Sequence, residues 1–184
     1  MTLKPAWYMN FAEGHSGNTL DKIGGLPSHI PDAFPRYEPT DEELAFIAQI
    51  YCTTERLAIP GTLCIQLYQE IDYGPLPVAI RVPVGAKENT DQLGLIHPRI
   101  RKYEIHWEQE DDPETIPDDW ELTEKERRLM QSKVGGTPHY TDDDLEIGHR
   151  YLFQMREDPA GFNFAGRHAI VTIDADGLLD VRLQ

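Results

Sequence analysis

Apolar and polar residues alternate most regularly over 61–68, where Leu63, Ile65 and Leu67 share one side and Thr62, Cys64 and Gln66 the other. A period of two is that of an extended strand, whose successive side chains point to opposite faces. Val78 to Val82 reads the same way. Over Lys102 to Glu108, Tyr103, Ile105 and Trp107 alternate with Glu104, His106 and Glu108, which predicts a strand with one wet face. The last unit, Val171 to Leu183, predicts a hairpin that turns at Asp176-Gly177.

Two segments carry helical signals. Thr40-x-x-Glu43 resembles a capping box before Leu44, Ile47 and Tyr51. Thr123-x-x-Glu126 offers a second box, and no glycine or proline interrupts the run to Lys133 before Gly135, a candidate C-terminal cap. This second run predicts a helix. Pro31, Pro35 and Pro39 exclude one upstream of Thr40 and predict an extended, packed loop.

An internal duplication decides the first case. Asp21-Lys22-Ile23-Gly24-Gly25-Leu26-Pro27 recurs as Ser132-Lys133-Val134-Gly135-Gly136-Thr137-Pro138. Each copy precedes an apolar segment ending in Gln49 or Gln154, and each Gln precedes a glycine, Gly61 or Gly166, by the same 12 positions. Phe46 to Gln49 thereby aligns with Tyr151 to Gln154, which has no cap and is rich in strand-preferring residues. Leu44 to Tyr51 is therefore predicted to be a buried strand after a short helical turn at Asp41 to Glu43. The expected fold is α+β: a single domain over 1–184, mainly antiparallel sheet with few helices. Its first repeat covers about 21–82, an acidic connecting segment about 83–122, and its second repeat about 123–184.

Composition narrows the function classes. Against 17 basic residues stand 32 acidic ones, a net charge of −15 that repels phosphate backbones and anionic membranes. Neither nucleic acid nor membrane is an expected partner; a basic protein is. The N-terminus has no signal-peptide pattern and no run approaches 18 apolar residues, so a cytoplasmic location is expected. Cys52 and Cys64 lie in apolar stretches, which raises thiol pKa and predicts inert side chains with no need of a disulfide.

The Lys-x-Gly-Gly-x-Pro element, the apolar-Gln strand, the glycine opening the next strand and the weaker second copy of all three resemble the YwqG-like family of bacterial proteins of unknown function. The resemblance covers about Asp21 to the C-terminus. The chain departs from that family's common Trp-Pro pair by having Phe34-Pro35 in the proline-rich loop. The resemblance implies a duplicated α+β fold on an antiparallel sheet and carries no catalytic residues. It also implies a genomic setting beside secreted toxins, where immunity genes lie.

The candidate working surface is the acidic stretch Glu108 to Glu121. Within it, Glu110, Asp111, Asp112, Glu114, Asp118, Asp119 and Trp120 combine charge with an aromatic anchor suited to a basic partner such as a toxin domain. Asp142, Asp143, Asp144, Glu146 and His149 include one Glu-x-x-His spacing, too little for a metal centre. Asp174 to Gly177 mimics part of a calcium loop without its later ligands. No nucleophile elbow or phosphate loop occurs, so no catalytic, cofactor or metal residues are assigned. The glycine pairs read as tight turns that let Gln49 and Gln154 bond nearby backbone; lining a ligand groove is the alternative. The expected function is a non-enzymatic toxin-neutralising interaction protein, with a small-ligand-binding protein or enzyme using a cleft between the repeats as the competing reading.

Overall fold

The computed structural model of the chain describes residues 2–17, 19–72, 76–114, 123, 126–139 and 148–184. Its strands are β1 (Leu3–Glu13), β2 (Lys22–Ile23), β3 (Arg36–Tyr37), β4 (Glu42–Glu43), β5 (Ala45–Tyr51), β6 (Thr62–Gln69), β7 (Val78–Pro83), β8 (Tyr103–Pro113), β9 (Lys133–Gly135), β10 (Arg150–Arg156), β11 (His168–Ile173) and β12 (Leu179–Leu183). Ten of them form one sheet in the order β12-β11-β10-β9-β1-β8-β2-β5-β6-β7, and β3 pairs with β4 in a small ribbon. Every ladder between these strands is antiparallel. The two outer strands, β7 and β12, lie against each other, and Arg81 of β7 donates to the Gly177 carbonyl at 2.9 Å. The sheet is a nearly closed, barrel-like structure.

This overturns the α+β expectation. Among the described residues there is no α-helix, and the helical content is one five-residue 3-10 helix, Glu126–Met130. The helix expected from Thr123 to Lys133 stops short because Lys133–Gly135 is claimed by the sheet, where it pairs with β1 on one side and β10 on the other. A capped run of about 11 residues is marginal alone, and pairing of its last residues outcompetes it. The helical turn expected at Asp41 to Glu43 is also absent: Asp41 takes φ 58° in a turn and Glu42–Glu43 is β4.

The strand over Leu44 to Tyr51, those at Thr62 and Val78, and the terminal hairpin are where the patterns placed them. Yet β6 is buried on both faces. Ile65 and Leu67 enter the main core inside the barrel, while Cys64, Gln66 and Tyr68 on the other face are covered too. The proline-rich loop supplies part of that cover, setting Phe34 against Tyr68 at 6.3 Å between ring centroids, beside Phe46 at 5.7 Å.

The duplication is visible down to its irregularities. A register shift between Phe46 and Ala48 in β5 recurs between Tyr151 and Phe153 in β10. In sequence β1 leads the first repeat and β8 leads the second, but in space each joins the other's repeat. Tyr8 of β1 stands opposite Lys133, as Glu104 of β8 stands opposite Lys22. The segment expected to connect the repeats thus provides one of the two central strands.

Candidate functional site

Each short strand, β2 or β9, ends in its glycine pair. Gly24 and Gly25 take φ 66° and 72°, Gly135 and Gly136 take 67° and 70°. A Cβ on Gly24 would sit 2.5 Å from the Arg101 carbonyl oxygen, and one on Gly135 2.9 Å from that of Pro5. Only glycine allows both that approach and that backbone. The turn then carries the chain over the buried glutamine of the neighbouring strand. Gln49 accepts from the Ser28 N–H at 3.0 Å and donates to the Leu20 carbonyl at 3.0 Å. Gln154 accepts from the His139 N–H at 2.8 Å and donates to the Gln131 carbonyl at 2.8 Å. A side chain placed between two backbone segments satisfies polar groups that no ladder reaches.

The lysines at the start of the two turns have different fates. Lys133 is fully buried, and its Nζ meets Asp112 Oδ2 at 2.5 Å. Asp112 also accepts the Tyr8 hydroxyl at 2.5 Å and the Thr137 N–H at 2.9 Å, so both of its oxygens are engaged. Burial pulls the Lys133 amine below the usual lysine range while Asp112 opposes that shift. Burial and then Asp112 push the Tyr8 hydroxyl far up, keeping it a donor.

Lys22 has no such partner. Glu104, its neighbour in the ladder, turns its carboxylate to the Ser16 and Gly17 N–H groups and the Ser16 hydroxyl, the last two at 2.9 and 2.7 Å. Among the described residues no carboxylate comes within ion-pair reach of Lys22. It lines an open cleft of about 580 Å³ with His15, Lys102, Gly25, Leu26 and Glu88 among its other walls. Burial first, and Lys102 second, lower the Lys22 amine from its ordinary value. His15 is lowered by burial, with Lys22 and Lys102 adding to the effect, and its ring meets the Ile23 carbonyl at 3.0 Å. Two ammonium groups and an imidazole that resists protonation converge on one cavity.

A second cleft, about 510 Å³, opens beside the other repeat and is lined by Met9, Phe11, Ser132, Arg156 and Asp158 among others. Its equivalent in the first repeat is filled. The Met9 N–H donates to the Ser132 carbonyl as Ile105 N–H donates to that of Asp21, which makes Trp107 the counterpart of Phe11. Trp107 Nε1 donates to Asp21 at 2.7 Å, and Arg56 lies 4.0 Å over the indole while pairing with Asp21 at 2.8 Å. Each repeat closes the cleft that the other leaves open.

The acidic stretch is only partly the open face expected of it. Glu110 and Glu108 hold Arg128 at 2.9 and 2.6 Å, and that guanidinium covers the Tyr8 ring at 4.8 Å. Asp112 is enclosed, since β8 continues through the stretch and β9 and the second glycine turn cover that end; it is no contact residue for a partner. Asp111 and Glu114 are exposed. Asp118, Asp119 and Trp120 lie outside the described residues, as do Asp142, Asp143, Asp144 and Glu146; His149 meets the Thr172 hydroxyl at 3.2 Å. No cluster of metal-ligating side chains occurs among the described residues. The thiols behave as expected, pushed up by burial to about 11 for Cys52 and about 12 for Cys64.

Sequence reasoning did not find the Lys22, Lys102 and His15 set. The available signal was the lysine common to both copies, but only the pairing of β8 shows that one copy has a carboxylate and the other has none. Among the described residues no helix is long and apolar enough to cross a membrane. No protein-family model matches the chain and no curated protein matches it.

Proposed function

We propose that the chain is a binding protein that holds an anionic group in the cleft of its first repeat, against Lys22. The single observation that carries this reading is the unequal treatment of two equivalent lysines: Lys133 is neutralised from within by Asp112, and Lys22 faces a cavity beside Lys102. A partly desolvated ammonium that repels its neighbour is relieved by an incoming negative charge. The setting adds selectivity. In a chain of net charge −15, a locally positive cleft is the place where anions collect.

The test is calorimetric titration with small anions at low ionic strength, using the wild type and Lys22→Met. Binding that weakens about tenfold or more in the variant, with an unchanged melting temperature, is the expected result. Equal binding by both would overturn the assignment.

The exposed carboxylates of Asp111 and Glu114, next to residues 115–122, favour a second reading: docking of a basic toxin domain by an immunity protein of the YwqG-like kind. Salt-sensitive association with such a domain, weakened by Asp111→Lys and Glu114→Lys, would support it.

A further inference from the structure

The walls of the Lys22 cleft carry more information than its charge. Leu20 and Ile96 line it while 58% and 47% exposed, and Leu26 and Pro27 join them. Apolar side chains grouped in a cavity wall suit a ligand with an apolar part. Charged and apolar side chains share the wall of one cavity. A volume of about 580 Å³ falls in the range that encloses a small organic molecule rather than a bare ion.

The charge count selects among anions. Lys22 and Lys102 bring two positive charges and Glu88 brings one negative, leaving one positive charge in the cleft when His15 is neutral. With His29, which also lines the cavity, neutral as well, that balance suits a monoanion better than a phosphate ester. No arginine lines the cavity, so both of its lysine charges are ammonium point charges. The Ser28 N–H is already spent on Gln49.

Resting on the anion-binding reading, we infer that the ligand is a monocarboxylate with an apolar body, its carboxylate on Lys22 and Lys102 and its body against Leu20, Leu26 and Ile96. Such a group occurs on a free apolar acid and at the C-terminus of a chain that ends in an apolar residue. The cleft reads the same chemistry in either.

The experiment is a titration series at pH 7 with acetate, octanoate, N-acetyl-leucine and sulfate, followed by calorimetry and by amide chemical shifts of 22–29. Octanoate or N-acetyl-leucine should bind at least about tenfold tighter than acetate or sulfate. The tighter of the first two identifies the source, a free acid or a chain terminus. Ile96→Ser should remove the preference over acetate, and Lys102→Met should weaken both ligands, which serves if Lys22→Met proves unstable. Acetate and octanoate binding alike would overturn the apolar body and leave an anion site. Sulfate binding tightest would overturn the monocarboxylate. No shift with any of the four at millimolar concentration would sink the anion reading itself.

Discussion

The two repeats share a backbone and differ in where each spends its polar groups. Around the second glycine turn, Lys133, Asp112, Tyr8 and Thr137 form a closed network inside the protein. Around the first, Lys22 looks into a cavity and the neighbouring acid, Glu104, serves loop N–H groups instead. On the opposite side of the turns the roles reverse, with Arg56 and Trp107 sealing the first repeat and an open cleft beside Ser132 in the second. Duplication made both sites available at once. Filling one position in each copy freed the other copy's position from structural duty, so a buried ion pair and an open cleft descend from the same geometry.

The sharpest way to break this comparison is to make the same substitution twice. Lys133→Met should cost about 3–5 kcal/mol, because it strands Asp112 as an uncompensated buried charge. Lys22→Met should stay within about 0.5 kcal/mol of wild type, because no described carboxylate loses a partner. Chemical denaturation of the two variants measures the difference; equal costs would mean that both lysines are structural.

A smaller contrast is expected at the second glycines. Both take positive φ, so alanine at either site carries backbone strain of about 1 kcal/mol. At Gly136 the new Cβ would also press on the Asp112 carboxylate and come 2.6 Å from the Ala6 Cβ, whereas at Gly25 it would meet the end of the His15 ring at 3.0 Å. Gly136→Ala should therefore lower stability by about 2 kcal/mol more than Gly25→Ala, read from melting temperatures. A common value for both would show that the first turn is as closely packed as the second.

The gentlest probe is pH. His168 is buried beside the His139 ring at 5.2 Å, with its Nε2 2.6 Å from the Met130 carbonyl; burial holds its pKa below 6.5, and His139 and Arg156 act in the same direction. The unfolded chain binds this proton more readily than the folded one. Stability thus rises with pH through the window beneath 6.5, and acidification removes it, by at most about 1.4 kcal/mol per pH unit for this one group. His168→Gln should flatten the profile between wild type and variant in that window. His15→Gln, at an exposed site in the first repeat, should change it less.

Local pattern reached the strands of both repeats and one of the two central ones, β8 (Tyr103–Pro113), which its alternation over Lys102 to Glu108 marks. Alternation and the repeat located β5, β6, β7 and the β11–β12 hairpin, since their partners follow closely in sequence. It missed β1 entirely, and it took 123–133 for a helix because a capping box is a local signal while the competing partner, β1, lies more than a hundred residues upstream. The site followed the same rule. Glu104 and Asp112 occupy the polar phase of β8, as alternation says, and both are buried because distant loops and β9 close over them. The reading of the glycine pairs as turns serving Gln49 and Gln154 held, being a matter of backbone geometry within one repeat.

The exchange of β1 and β8 between the repeats resembles a strand-swapped dimer tied into one chain. Neither half contains its own central strand, so neither can close its sheet before the other has been made. The long β1–β8 ladder forms only when residues 90 to 110 positions apart in sequence meet, and the second repeat then needs β1 already in place to dock β9. Such a molecule has one folding unit where its sequence shows two. The unit that was duplicated would, on its own, have had to find a second copy of itself to complete its sheet.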